Sequence, residues 1–277
     1  MKTTKLKIAA VLVVLMAIGY SFTSLGKITI KGSDTMVILS QQWAEVYMKK
    51  NPGTVIQVTG GGSGVGLAAL INGSTDIANS SRPIKSTELE KIKAKFGKNA
   101  IQIPCAKDGL SVFLNKGNKV SELTIAQIGA IFSGKITNWK QVGGDDAKIQ
   151  LYGRESSSGT FEFFKEHVVQ TDFAATCQTL PGTAAIINAV KKDKYSIGYG
   201  GAAYAEGVKD CKVKKDANSK GYLPTEANIK NKKYPIARYL FMYLTSKPTG
   251  ETKKFIDWIL SSEGQKIIAG VGYFPVK

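Results

Sequence analysis

The chain has 277 residues, 43% of them hydrophobic, with a formal net charge of +17. That length and apolar content suit one large or two ordinary globular domains and exclude a disordered or fibrous chain. The basicity does not indicate a nucleic-acid binder, because all but three of the 38 Lys and Arg residues are lysine, whereas phosphate and base recognition on nucleic acids draws on the guanidinium fork.

In "MKTTKLKIAAVLVVLMAIGY", Lys2, Lys5 and Lys7 precede an uncharged run from Ile8 to Tyr20. This is the layout of a secretory signal, and the run is shorter than the roughly 20 residues a membrane-spanning helix needs. Residues 1–26 are expected to be a signal peptide: small residues suited to cleavage occur in Ala17-Ile18-Gly19 and again in Ser24-Leu25-Gly26, the second giving cleavage before Lys27, and an uncleaved anchor is the alternative. Either way the body of the protein is expected outside the cytoplasm.

"KITIKGS" alternates as a strand and runs into "DTMVILSQQWAEVYMKK", where Met36, Leu39, Trp43, Val46 and Tyr47 fall on one helical face until Asn51 and Pro52 stop it. Then come the strand "TVIQVTG", the loop "GGGSG", the helix "VGLAALING", the strand "DIANSS" and a charged helix from Ser86 to Phe96. The middle of the chain continues as strand "AIQIPCAKDGLSVFLN", helix "TIAQIGAIFSG", strand "KIQLYGRE", helix "GTFEFFKEHVV" and strand "YSIGYGG". Past a lysine-rich region at 212–235, "YPIARYLFMYLTS" reads as a returning strand and "ETKKFIDWILSSEGQKIIAGVG" as terminal helices. Strands alternating with helices predict an α/β fold. Among three cysteines, Cys105 reads as a small buried side chain, while Cys177 and Cys211 flank a strand and helix unit and are a candidate disulfide, contributing about 3 kcal/mol if formed.

One local arrangement recurs: a strand ends, a Gly/Ser loop follows, a helix begins. The loops are "GSDT" (32–35), "GGGSG" (60–64), "NSSR" (79–82) and "RESSSGT" (154–160). A helix start leaves unpaired N–H groups and a partial positive charge, glycine lets an anion approach the backbone, and a hydroxyl adds a donor. Any one loop reads equally as an ordinary helix cap. Four at the ends of strands, two carrying arginine, point to a shared anion site, since open α/β sheets bind ligands there.

Catalysis is poorly supplied. "GAIFSGKI" nearly spells a phosphate-binding nucleotide loop, but Ile136 stands where the magnesium-binding hydroxyl belongs. His167 is the one histidine, lies within the helix after the serine loop, and reads as a surface or packed residue. Without a Gly-x-Ser-x-Gly elbow or a metal-ligand set, neither a catalytic residue nor a metal or cofactor is expected.

The stretches "ITIKGSDTM", "QVTGGGSGVGLAALINGSTDIANSSRPI", "IFSGKITNWKQVGG", "GRESSSGTFEFF" and "SSEGQKIIAGVGYFPV" resemble, in order and over nearly all of the chain, the phosphate-binding proteins of bacterial ABC phosphate importers. The resemblance implies a two-lobed periplasmic-binding-protein fold whose lobes close on one dehydrated phosphate. It implies lobe 1 from residues 27–106 and 238–277, lobe 2 from 107–237, and crossings near 105–109 and 235–239. Carried across, the anion-binding positions are Ser33, Asp34 and Thr35, then Ser63, Ser81 and Arg82, then Arg154, Ser158, Gly159 and Thr160. Ser81 stands where the family often has an aspartate that accepts the proton of hydrogen phosphate; Asp34 or Glu155 taking that part, or Arg82 resetting the charge balance, are the readings left open. The implied partners are inorganic phosphate and a membrane permease, for a monomer without nucleic acid. The alternatives are another tetrahedral oxyanion, sulfate or molybdate, and a secreted phosphatase.

Overall fold

The computed structural model describes residues 26–276. The expected signal peptide therefore lies outside the described residues, except for Gly26, which opens the first strand, β1 (Gly26–Gly32). β1 is flanked in parallel by β2 (Thr54–Thr59) and β3 (Ile77–Ser80). Parallel neighbours need crossovers, and the chain supplies them as helices α1 (Val37–Lys50) and α2 (Ser63–Asn72). On the expected face of α1, Met36, Leu39, Trp43 and Tyr47 are buried, whereas Val46 is half-buried and Ala44 takes its place in the core. Helix α3 (Ser86–Phe96) then leads to the long strand β4 (Ile101–Leu114).

β4 changes partner along its length. From Ile101 to Gly109 it pairs antiparallel with β11 (Ala237–Leu244), and from Leu110 to Leu114 with β8 (Ser196–Gly201). β11 in turn pairs with β3. Beyond β8 lie β6 (Gln150–Arg154) and the edge strand β7 (Gln178–Leu180), both parallel to their neighbours, while β5 (Glu122–Thr124) and β10 (Lys212–Lys214) pair with each other in a separate two-stranded sheet. Helix α4 (Ile125–Phe132) precedes β6, α5 (Gly159–Phe164) follows it, and α6 (Gly182–Lys192) connects β7 to β8. The expected helix "GTFEFFKEHVV" is α5 followed by a π-turn, Lys165–Val169. That wider turn packs directly on α4: a Cβ at Gly129 would lie 2.4 Å from the Val168 carbonyl.

The apolar residues separate on either side of this partner change. One cluster joins Ile28, Trp43 and Ala106 to Leu240, Phe255 and Ile268. Another joins Leu110, Phe132 and Trp139 to Tyr199, Val213 and Ile236. The C-terminal helices, α7 (Gly250–Ile259) and α8 (Ser262–Val271), return to the first cluster, where the Trp43 indole donates to the Gly264 carbonyl at 2.8 Å and the Tyr47 hydroxyl to Glu251 at 2.7 Å.

The candidate disulfide is corrected: all three cysteines are free. Cys211 follows β9 (Lys209–Asp210), itself paired with β4, and its N–H donates to Val112 of β4, whereas Cys177 immediately precedes the edge strand β7. β4, β8 and β6 lie between them in the sheet. Each step is about 4.8 Å, and a disulfide needs Cα atoms about 4.4–6.8 Å apart.

Candidate anion-binding site

The four glycine and hydroxyl loops converge. Thr35 sits in the turn after β1, Ser63 opens α2, Ser81 follows β3, and Thr160 lies in the first turn of α5. Thr35 Oγ1 and Thr160 Oγ1 are 2.7 Å apart, Ser81 Oγ lies 3.4 Å from Thr160 Oγ1, and Ser63 Oγ lies 3.3 Å from Ser81 Oγ. The Ser81 amide also donates to Ser63 Oγ at 3.0 Å. All four residues are buried. Buried hydroxyls must be satisfied, and here they satisfy one another across the cleft, in a group that an anion can enter as a common acceptor.

Two glycines make this approach feasible. A Cβ at Gly159 would lie 2.3 Å from Ser63 Oγ and 2.9 Å from Ser81 Oγ, so any side chain there would force the two loops apart. Gly62, with φ +96, gives the loop before α2 a positive-φ conformation that other residues rarely adopt, and Gly64, in the first turn of α2, donates its N–H to the Ser157 carbonyl at 2.9 Å. Ser158 caps α5, its hydroxyl oxygen accepting from the amides of Thr160 and Phe161, which leaves its own proton free to donate. Ser33 is buried and held through its amide, which donates to the Asn79 carbonyl at 2.9 Å. Aromatic hydroxyls fix the backbone of the first loop: Tyr273 donates to the Thr35 carbonyl and Tyr204 to the Asp34 carbonyl, each at 2.6 Å.

Arg154, 2% exposed, bridges the cleft. Its Nη2 donates to Asp34 at 2.7 Å and to Glu155 at 2.8 Å, Nε to Glu155 at 3.1 Å, and Nη1 to Thr183 at 3.1 Å. Burial pushes the Glu155 carboxyl up, but the hydrogen bonds and charge of Arg154 outweigh it and hold the group below the usual carboxylate value. The other Asp34 oxygen accepts from the Gly61 amide at 2.8 Å. Arg82 faces a different way. It makes a bidentate pair with Glu88 at 2.9 and 2.8 Å, donates to the Pro83 carbonyl, and its Nε makes ionic contact with Glu162 at 2.8 Å without hydrogen-bond alignment. The structure thus brings Thr35, Ser63, Ser81, Gly159 and Thr160 into one group, places Asp34 and Arg154 beside it, and leaves Arg82 behind Ser81 in a separate ion-pair cluster.

The sequence reading missed a third buried arginine. Arg238, in β11, lies directly opposite Asp108 of β4 and donates to it through Nε at 3.0 Å and Nη2 at 2.9 Å. Nη2 also donates to Thr160 Oγ1 at 2.9 Å. The signal was present: a charged residue within the apolar strand "ARYLFMYL", paired with an aspartate in "CAKDGLSVFL", is anomalous for buried strands. His167 stacks on Phe163 with ring centroids 4.1 Å apart. Among the described residues, no group of His, Cys, Asp and Glu is placed to hold a metal ion.

The PBP superfamily domain matches residues 21–263. The phosphate-binding protein PstS of Pseudomonas aeruginosa is 32% identical over 269 residues, covering 91% of this chain and 83% of that protein. PstS of Staphylococcus epidermidis is 36% identical over 246 residues, covering 85% and 74%. A Clostridium perfringens structure with bound phosphate, assigned as a phosphate ABC transporter substrate-binding protein, superposes with a TM-score of 0.82 at 32% identity, over 91% of this chain and 100% of that one. An ABC-type phosphate transport receptor from Vibrio cholerae gives 0.72 at 31%, over 89% and 99%. With the two-lobed fold and the converging loops, these matches establish that the chain belongs to the PBP superfamily and, within it, to the family of the phosphate-binding proteins PstS.

Proposed function

We propose that this protein captures inorganic phosphate outside the cytoplasm and delivers it to the membrane permease of an ABC importer. The observation that carries the reading is the buried group of Thr35, Ser63, Ser81 and Thr160 hydroxyls set beside guanidinium groups. Taking a phosphate dianion out of water is costly; hydroxyl and amide donors replace its hydration, and a guanidinium also balances its charge. The ligands are Ser33, Asp34, Thr35, Ser63, Ser81, Arg154, Ser158, Gly159 and Thr160, whereas Arg82, its charge met by Glu88 and Glu162, holds the loop behind Ser81. Calorimetric titration with phosphate, sulfate and arsenate tests this reading. Tight phosphate binding is expected; tight sulfate binding without phosphate binding overturns it.

The lobes of this reading are residues 27–106 with 238–277, and 107–237. Supporting that division, β4 exchanges β11 for β8 after Gly109, and the apolar clusters part at the same place. Small-angle scattering of the monomer is expected to show a smaller radius of gyration with saturating phosphate. The protein is a carrier and not an enzyme, so a chromogenic phosphate ester is expected to release no product. Export through residues 1–26 predicts a mature N-terminus at Lys27, read by N-terminal sequencing; a folded cytosolic protein with those residues intact overturns it.

A further inference from the structure

Resting on the phosphate reading above, we propose that Arg238 is a second guanidinium ligand of the anion, reaching the site from the strand that joins the two lobes. A guanidinium is planar, and its five N–H bonds have fixed directions. The hydrogens on Nε and Nη2 that meet Asp108 Oδ2 lie on one edge of that plane. The second Nη2 hydrogen, donated to Thr160 Oγ1, lies on the other edge, which Nη2 shares with Nη1. Nη1 is buried and has no hydrogen-bond partner. One fork of Arg238 thus faces Thr160 with one arm engaged and the other free.

That arrangement fits a tetrahedral oxyanion. Leaving a buried charged donor unpaired is costly, and two parallel N–H groups match two oxygens of one anion. Thr160, where the fork points, also meets Thr35 and Ser81, so an anion among these hydroxyls lies within its reach. The guanidinium is held in advance: Asp108 is fully buried, accepts from the Ala202 amide at 3.3 Å, and the Phe163 ring lies 5.3 Å from Arg238 Cζ. Arg238 stands next to Ala237, the residue paired with Gly109, where β4 gives up β11 for β8. The anion would then touch lobe 1 through Thr35, Ser63 and Ser81, lobe 2 through Thr160, and the connection between the lobes through Arg238.

Truncating Arg238 alone would strand the Asp108 carboxylate in the interior, so the test uses the double variant Asp108→Asn, Arg238→Gln, which removes both charges and keeps the shape, together with Arg238→Lys, which keeps the charge and loses the fork. Phosphate affinity is measured by calorimetry on the full chain, with the ligand-free Tm and circular dichroism alongside. The double variant is expected to bind phosphate about thirtyfold or more weakly with its fold retained, and Arg238→Lys to fall between it and wild type. Should the folded double variant, or Arg238→Lys if the double variant does not fold, bind phosphate as wild type does while only its Tm falls, Arg238 is structural and the proposal fails. A wild-type protein that does not bind phosphate removes the ligand reading itself, which is a different result.

Discussion

Arg154 and Arg238 are both buried among the loops that carry the hydroxyls and use their donors differently. Arg154 meets two carboxylates, Asp34 and Glu155, and a threonine hydroxyl, so its charge is already more than balanced. Arg238 meets one carboxylate, and its second edge opens toward Thr160. Burial alone therefore does not make an arginine a ligand; the number of carboxylates around it decides how much charge and how many donors remain. In the proposed site an incoming anion would compete with Asp34 for the Arg154 guanidinium, and the Arg154–Asp34 contact ties residue 34 to residue 154 across the cleft. In the proposed site the Arg154 corner would act as a clamp as much as a ligand, and the Arg238 corner as a fork held ready.

The most severe way to break the comparison is Arg154→Ala. It leaves Asp34 and Glu155 as two carboxylates without their cation, beside the place the anion must enter. Losing one member of a buried, hydrogen-bonded charge set costs about 3 kcal/mol, roughly a hundredfold in phosphate affinity. Arg154→Lys keeps the charge without the fork and is expected to fall between. Calorimetry with circular dichroism as a control measures both; wild-type affinity in a folded Arg154→Ala protein would remove this loop from the site.

Thr160→Val sharpens the contrast from the hydroxyl side. Its Oγ1 accepts from Arg238 and meets Thr35 and Ser81, so an isosteric methyl strands several donors at once. A loss of about 1–3 kcal/mol in phosphate binding is expected, with Thr160→Ser near wild type because it retains the hydroxyl. Identical affinities for Thr160→Val and wild type would show that the hydroxyl group is merely cleft packing.

Much of this was legible in the sequence, and the part that was not has a physical reason. The α/β alternation and the returning strand at β11 follow from hydrophobic periodicity and from Gly/Ser punctuation, which are local. The four loops pointed to an anion site because each carries a hydroxyl, three of them beside a glycine. What a linear reading cannot supply is which way a side chain turns once it has rivals. Arg82 and Arg154 stand in similar loops, yet Glu88 and Glu162 draw Arg82 away from the hydroxyls while Asp34 draws Arg154 across the cleft. Arg238 was missed because its partner Asp108 is 130 residues away and becomes its neighbour only through strand register.

Acid gives a gentler test of the Arg154 corner. Burial pushes the Glu155 and Glu88 carboxyls up, but Arg154 and Arg82 respectively outweigh it, so both groups titrate below the usual carboxylate value. A carboxyl depressed in the folded state contributes stability that is fully present above its unfolded value, about 4.3, and is lost as pH falls through the folded value. The ligand-free Tm is therefore expected to hold above about pH 5 and to decline below about pH 4. Glu155→Gln should make that decline shallower; an unchanged acid slope in this variant would mean that the Arg154–Glu155 contact does not contribute to stability.

The smallest expected effect is none, and it concerns the sulfur atoms. Burial pushes the thiol of Cys177 up to about 11 and those of Cys105 and Cys211 up to about 12, so all three stay protonated and unreactive at neutral pH. Cys177 is packed under β6, where a Cβ at Gly153 would lie 2.8 Å from its Sγ, and three strands separate it from Cys211. Joining the two would require taking the sheet apart, which costs far more than the roughly 3 kcal/mol a bridge of this kind contributes. The cleft geometry must then be held by the arginine–carboxylate contacts and the strand register, with no covalent tie between β7 and the segment after β9. Mass spectrometry of the non-reduced protein is expected to give the same mass before and after reductant, and Tm the same value in both. A gain of two hydrogens on reduction, with a fall in Tm, would show a bridge that this arrangement of strands does not allow.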